Sequence, residues 1–215
     1  MKNTKMLEML ESGKIEELKK LLREEIYKDS LVNKTDEKKR YTAMLKYFTY
    51  VDSARASLQK PYQVEYNNIW YTSFCNSYSL VLTSEVPGPL DMFDSINDGT
   101  YPDVARLINC DGDEEELDLT KVFAMAKSKG YKLKKSEVNS NRYLMCYKGT
   151  YYRIGLLDIT YSIINDGNKV ISYRSDKPNR PLTIVNDIGY AVIMPVRIDE
   201  LDDTMTVIDI SEIDA

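Results

Sequence analysis

The chain predicts an α+β fold, in which helices pack on antiparallel sheet and a helical extension precedes them. Three observations carry that prediction. Apolar residues recur at helical spacing before residue 60 and again from residue 118. Runs of β-branched and aromatic residues, punctuated by turn residues, fill 61–85 and 143–198. A helix followed by short strands occurs twice, which is a weak internal repeat.

Residues 5–28, KMLEMLESGKIEELKKLLREEIYK, place Met6, Leu7 and Leu10, then Ile15, Leu18, Leu21, Leu22 and Ile26, at helical spacing, and Gly13 separates the two pieces. The charged run NKTDEKKR (33–40) reads as a solvated linker or a helix start. An amphipathic helix follows in RYTAMLKYFTYVDSARASL. After Pro61, YQVEYNNIWYTSFCNSYSLVLTSEV reads as three antiparallel strands with turns at Asn67-Asn68 and Asn76-Ser77. PGPLDMFDSINDG (87–99) reads as a loop with one helical turn. CDGDEEELDL is a linker running into a strand or a helix cap. DLTKVFAMAKSKG is a third helix, opened by Asp118 or Thr120 and closed at Gly130.

NRYLMCYKGTYYRIG is a hairpin turning at Lys148-Gly149, and LLDITYSIIN a short helix ending near Gly167. KVISYRS, RPLTIVN and YAVIMPVRI are three further strands. The tail DELDDTMTVIDISEIDA is acidic, with a strand-like alternation near its middle. The organisation is a helical extension at 1–39, a helix with strands at 40–110, a second such unit at 111–198 and the tail at 199–215.

Composition narrows the function. A formal charge of −5 over 215 residues disfavours a generic nucleic-acid coat but leaves room for a local basic face. Seventeen tyrosines against four phenylalanines suit sheet faces and wet interfaces. Cys75, Cys110 and Cys146 lack CxxC spacing and read as reduced thiols of a cytoplasmic protein. Glu8 and Glu11 interrupt the stretch where a signal peptide needs an apolar core. The sequence holds no histidine, so it lacks the commonest general base and metal ligand. No GxSxG, P-loop or GxGxxG is present. The expectation is a protein that acts by binding rather than catalysis, with no cofactor, no metal and no membrane partner.

Three segments then matter together: SFCNSYSLVL (73–82), DGTYPDVARLIN (98–109) and GYAVIMPVRI (189–198). In this order they resemble the bacterial replicative sliding clamp, the β subunit of DNA polymerase III. That family carries an ATDGYRLA-like turn, a YPD..RLIP inter-domain segment and a YVIMPMRL chain end. The helix in YYRIGLLDITYSII resembles the family's FNVKYLLDVL stretch. The likeness covers roughly 40–108 and 145–198. This chain lacks the family's basic residue before Leu80, and residues 1–35 and the tail have no counterpart in it.

The resemblance implies a sliding-clamp-like fold and a shortened, divergent relative, of the kind a phage or mobile element encodes. It implies an apolar cleft that binds short peptides of polymerases and other replication proteins. Carried over by position, its walls are Tyr78, Ser79 and Leu80, then Pro102, Arg106 and Leu107, then Met194, Pro195, Val196 and Arg197. The acidic tail is expected either to occupy that cleft or to pair with another copy. The resemblance also implies basic helices that meet the DNA backbone, here Lys38, Lys39, Arg40 and Lys46, with Lys127, Lys129, Lys132, Lys134 and Lys135 as a second group. The alternatives are a DNA-encircling processivity clamp assembled as an oligomer and an unrelated small enzyme or inhibitor.

Overall fold

The computed structural model describes residues 2–31, 35–50, 58, 61–85, 101–108, 113–167, 170–174 and 180–213. The expected loop at 87–99, Cys110 and residues 51–57 of the expected amphipathic helix lie outside them.

Two helices, Lys2–Glu11 (α1) and Ile15–Ser30 (α2), form the N-terminal extension. They part at Gly13, whose φ of +70° is the left-handed conformation that ends a helix. Gly13 N–H reaches Leu10 O at 3.2 Å and Lys14 N–H reaches Met9 O at 2.9 Å, satisfying two carbonyls that the helix leaves open. The run at 33–40 resolves in favour of a helix start, because Thr35–Tyr50 is helical (α3).

Three strands follow as expected: Tyr62–Tyr66 (β1), Ile69–Asn76 (β2) and Ser79–Thr83 (β3). Asn67 and Asn68 both take positive φ, 52° and 63°, as a two-residue hairpin twisted like its strands requires. A single helical turn, Val104–Leu107 (α4), leads to Asp113–Leu117 (β4) and then to Leu119–Ser128 (α5). Asp118 caps α5 by accepting from the N–H groups of Thr120 and Lys121. After a second single turn, Lys135–Val138 (α6), come Tyr143–Tyr147 (β5) and Thr150–Arg153 (β6), turning at Lys148-Gly149.

The helix Ile154–Ile164 (α7) then feeds Val170–Arg174 (β7), Leu182–Asn186 (β8) and Gly189–Ile193 (β9). Within the tail, Thr206–Asp209 (β10) pairs parallel to β5. It therefore joins the small sheet β10-β5-β6 and does not lie on the expected cleft.

The large sheet runs β1-β2-β3-β9-β8-β7-β4, with every neighbouring pair antiparallel. The two expected units thus share one sheet, joined at β3 and β9. Alternation along these strands separates two apolar layers. Phe74, Val81, Ala191 and Ile193 face the core built on α3, α5 and α7. Cys75, Leu80, Leu82 and Val192 face the other way, onto Tyr101, Val104 and Ile108. α7 is buried on nearly every side, which is why its sequence is apolar all round.

The weak repeat in the sequence is a close one in the backbone. β2 pairs with β3 in the register Thr72 to Thr83, and β8 with β9 in the register Leu182 to Ile193, so both partners move by 110 residues (72 to 182, 83 to 193). The same offset carries Asn76 onto Asn186 and Ser79 onto Gly189. β3 and β9 meet antiparallel, with Val81 opposite Ala191. Among the described residues no helix is long and apolar enough to cross a membrane.

Candidate functional site

The second segment of the expected cleft is held from within. Tyr101 is buried, its hydroxyl 2.8 Å from Ser73 Oγ and its ring 4.5 Å from that of Tyr62. Burial drives its hydroxyl pKa well above the ordinary value. Asp103 caps α4 by accepting from Ala105 N–H at 3.2 Å, and Arg106 Nε returns to Asp103 Oδ2 at 3.2 Å. That ion pair is exposed and contributes little to stability. The turn aims Leu107 at the sheet.

The third segment leaves β9 at Met194, whose N–H donates to Tyr78 O at 2.9 Å. Pro195 has no N–H to continue the ladder, so the strand stops there. Val196 is buried and donates to Tyr151 O at 2.8 Å, while Arg197 is exposed.

These pieces surround a small hollow of about 20 Å³, lined by Asn76, Ser79, Leu80, Leu107, Val192 and Met194, with Cys75 and Ser77 beside them. That volume holds about one water molecule. Asn76 is 3% exposed. Its Oδ1 accepts from Tyr78 N–H at 2.8 Å, Ser79 N–H at 2.5 Å and Ser79 Oγ at 3.0 Å. Three donors on one oxygen fix which end of the amide is which, so Nδ2 points away from the turn. Among the described residues that Nδ2 has no acceptor. A buried donor left unmade costs about 1–3 kcal/mol.

Beside the hollow, Tyr78 is 45% exposed and the guanidinium of Arg153 stacks on its ring at 5.1 Å. Arg153 Nε donates to Asn141 Oδ1 at 2.9 Å. Burial holds the Arg153 pKa below its ordinary value, against the opposing pull of Tyr78.

No family model, curated protein or solved structure matches this chain.

Of the ten expected cleft residues, Ser79, Leu80, Leu107 and Met194 meet at the hollow, with Tyr78 bonded to Met194 and Pro195 adjoining it in the chain. Ser79 and Leu80 are themselves buried, so they form floor rather than contact surface. Pro102 and Arg106 belong to the α4 cap, Val196 seals against β6, and Arg197 faces solvent. Sequence reading missed Asn76, Val192 and Arg153 as site residues. The signal for Asn76 was present, since Asn at the first position of a tight turn bonds the backbone two and three residues on.

A second feature lies on the opposite layer. Lys38, Lys39 and Lys46 of α3 line an open groove of about 560 Å³ with Ala43, Leu133 and Ser162. Leu133 brings the exposed Lys132 and Lys134 alongside, and Lys135 follows at the start of α6. Lys127 and Lys46 both bear on Asp158 of α7. The two basic runs of the sequence therefore converge. Two expected members stand apart: Arg40 pairs with Glu85 at 2.5 Å, and Lys129 reaches Val207 O at 3.4 Å, bordering a different cavity.

Proposed function

We propose that this chain is a non-catalytic binding protein of sliding-clamp-like architecture that captures short peptides of replication proteins at the Asn76 hollow. One observation carries the reading: Leu80, Leu107 and Met194, from three separate segments, line one concavity. The peptide lies across the lip, with an apolar side chain against the half-buried Leu107 and Met194. A thioether side chain changes rotamer cheaply, which suits a wall that must accommodate a guest.

Calorimetry with the peptide acetyl-Gln-Leu-Ser-Leu-Phe-amide tests it. Saturable binding is expected, weakened at least about tenfold by Met194→Lys or Leu107→Asp while the far-UV spectrum stays unchanged. Leu80→Asp is unsuitable, because Leu80 is core. No heat at millimolar peptide overturns the reading.

A second reading is favoured by the convergent basic groove: an oligomeric clamp in which α3 and the neighbouring lysines at 132–135 follow a nucleic-acid backbone. Lysines at such a surface neutralise phosphates without reading sequence. Lys39→Glu with Lys46→Glu should then weaken binding to duplex DNA at low salt and flatten its salt dependence. Light scattering should show a defined oligomer. A monomer at high concentration removes the ring, and unchanged DNA retention removes the groove.

A further inference from the structure

We infer that the exposed apolar stripe of α2 is a self-association surface, which pairs antiparallel with the same helix of a second copy of this chain. Nine large apolar side chains are exposed among the described residues, and five of them, Leu7, Leu10, Ile15, Leu22 and Ile26, fall within the N-terminal extension. Ile15, Leu22 and Ile26 follow one another at helical spacings of seven and four, so they lie within about 40° on one side of α2.

The helix is anchored to the rest of the fold through its other side. Tyr27 sets its ring edge-on to that of Tyr41 in α3 at 5.1 Å, and Leu31, just past the helix, is 1% exposed. Helix geometry places both more than about 100° round from the stripe. The stripe therefore faces away from the fold for about 16 Å, and no residue of α2 is buried. Apolar surface gathered in this way marks an interaction site.

Charge selects the occupant. α2 carries five acids and four bases, so it favours neither an anionic membrane nor a strongly charged peptide. A second α2 matches their order, which is Glu16 and Glu17, then Lys19, Lys20 and Arg23, then Glu24 and Glu25. When two copies run antiparallel about a twofold axis between Lys19 and Lys20, Ile15 fits between Leu22 and Ile26 of the second copy. The same register sets Glu16 opposite Arg23 of the second copy on one flank, and Lys14 opposite Glu25 of the second copy on the other. Near the axis the two Lys19 side chains approach each other, each bridged to its own Glu16 at 2.7 Å. The bridges from Lys14 to Glu17 and from Lys28 to Glu25 are weak surface pairs, so they yield readily to a second partner.

Sedimentation equilibrium of the full chain tests the pairing. The wild type should form a reversible dimer at or below about 100 μM. Leu22→Glu with Ile26→Glu should weaken it at least about tenfold while the far-UV spectrum stays unchanged, since both side chains are exposed and glutamate suits a helix. Arg23→Glu alone should weaken the dimer about threefold or more. Adding Glu16→Arg, which restores opposite charges across the antiparallel seam, should recover it. A wild type that stays monomeric at about 100 μM overturns the proposal. A dimer that survives the change of Leu22 and Ile26 also overturns it, because the contact then lies elsewhere. No recovery from Glu16→Arg overturns the antiparallel register.

Discussion

Asn76 and Asn186 stand 110 residues apart at matching places in two halves of one sheet, and each folds its turn by offering Oδ1 to the backbone N–H groups two and three residues on. Beyond the turn the halves diverge. The end of α7 passes close enough for Ile164 O to take the second amide hydrogen bond, and the site is closed. At Asn76 the neighbouring group is Tyr47 of α3, whose buried hydroxyl lies 3.2 Å from Ser79 Oγ, and among the described residues none accepts from Nδ2. Burial pushes that hydroxyl's pKa far up, so Tyr47 stays neutral and holds the turn by hydrogen bonding. The repeat therefore separates what the turn itself requires from what the surroundings add in each half. Oδ1 is structural in both halves, whereas Nδ2 is structural in one.

The largest effect should come from the residue that follows each turn. Ser79 and Gly189 are equivalent, yet a Cβ on Gly189 would lie 2.0 Å from Leu82 O. Gly189→Ala must push β9 from β3 along the seam joining the halves, with an expected loss of about 3 kcal/mol or more. Ser79→Ala removes only hydroxyl contacts to Asn76 and Tyr47, at about 1 kcal/mol. Urea denaturation of both variants checks the order. Similar losses would mean the two halves approach each other less closely than the β3–β9 register indicates.

Next comes the pair of amides themselves. Asn186→Asp deletes the bond to Ile164 O and sets an oxygen against that carbonyl, while Asn76→Asp deletes a donor that has no partner among the described residues. Both keep the turn acceptor, so the difference isolates Nδ2. Asn186→Asp should cost about 1–2 kcal/mol more than Asn76→Asp in the same denaturation assay. Equal costs would show that Nδ2 of Asn76 is already satisfied in solution.

Much of this arrangement was legible beforehand, and the reason differs from element to element. The strands around Asn67-Asn68, Asn76-Ser77 and Lys148-Gly149 announce themselves because turn residues act locally. Asp118 and Gly130 bound α5 for the same reason. The convergence of Leu80, Leu107 and Met194 came only from a family resemblance, since apolar strand residues look alike whether they floor a cleft or fill a core. Arg106 shows the limit from the other side. Its bond to Asp103, three residues earlier, is a helix-turn contact that spacing allows and that removes it from the cleft. The orphan amide of Asn76 was illegible, because an unmade hydrogen bond depends on which distant backbone carbonyl the fold brings within reach.

The helices behind the two turns offer the smallest and most specific test. α3 turns Lys38, Lys39 and Thr42 to solvent, whereas α7 is buried and carries a single acid, Asp158. Tyr131 donates to Asp158 Oδ2 at 3.0 Å, Ser162 Oγ lies 3.5 Å from Oδ1, and Lys127 and Lys46 face the group. Burial is the dominant influence and raises its pKa above the ordinary 3.8, with those hydrogen bonds and lysines opposing it. The folded chain therefore keeps a proton that the unfolded chain has released from about pH 4 upward. Asp158's contribution to stability must fall as pH rises through that window, in the opposite sense to an acid held in a strong ion pair. Asp158→Asn removes the titrating group while keeping an oxygen for Tyr131. The melting temperature of the variant should rise relative to that of the wild type as pH is raised from about 4 toward neutrality. Parallel curves would mean that Lys46 and Lys127 compensate Asp158 fully, making the α3–α7 contact an ion-pair network.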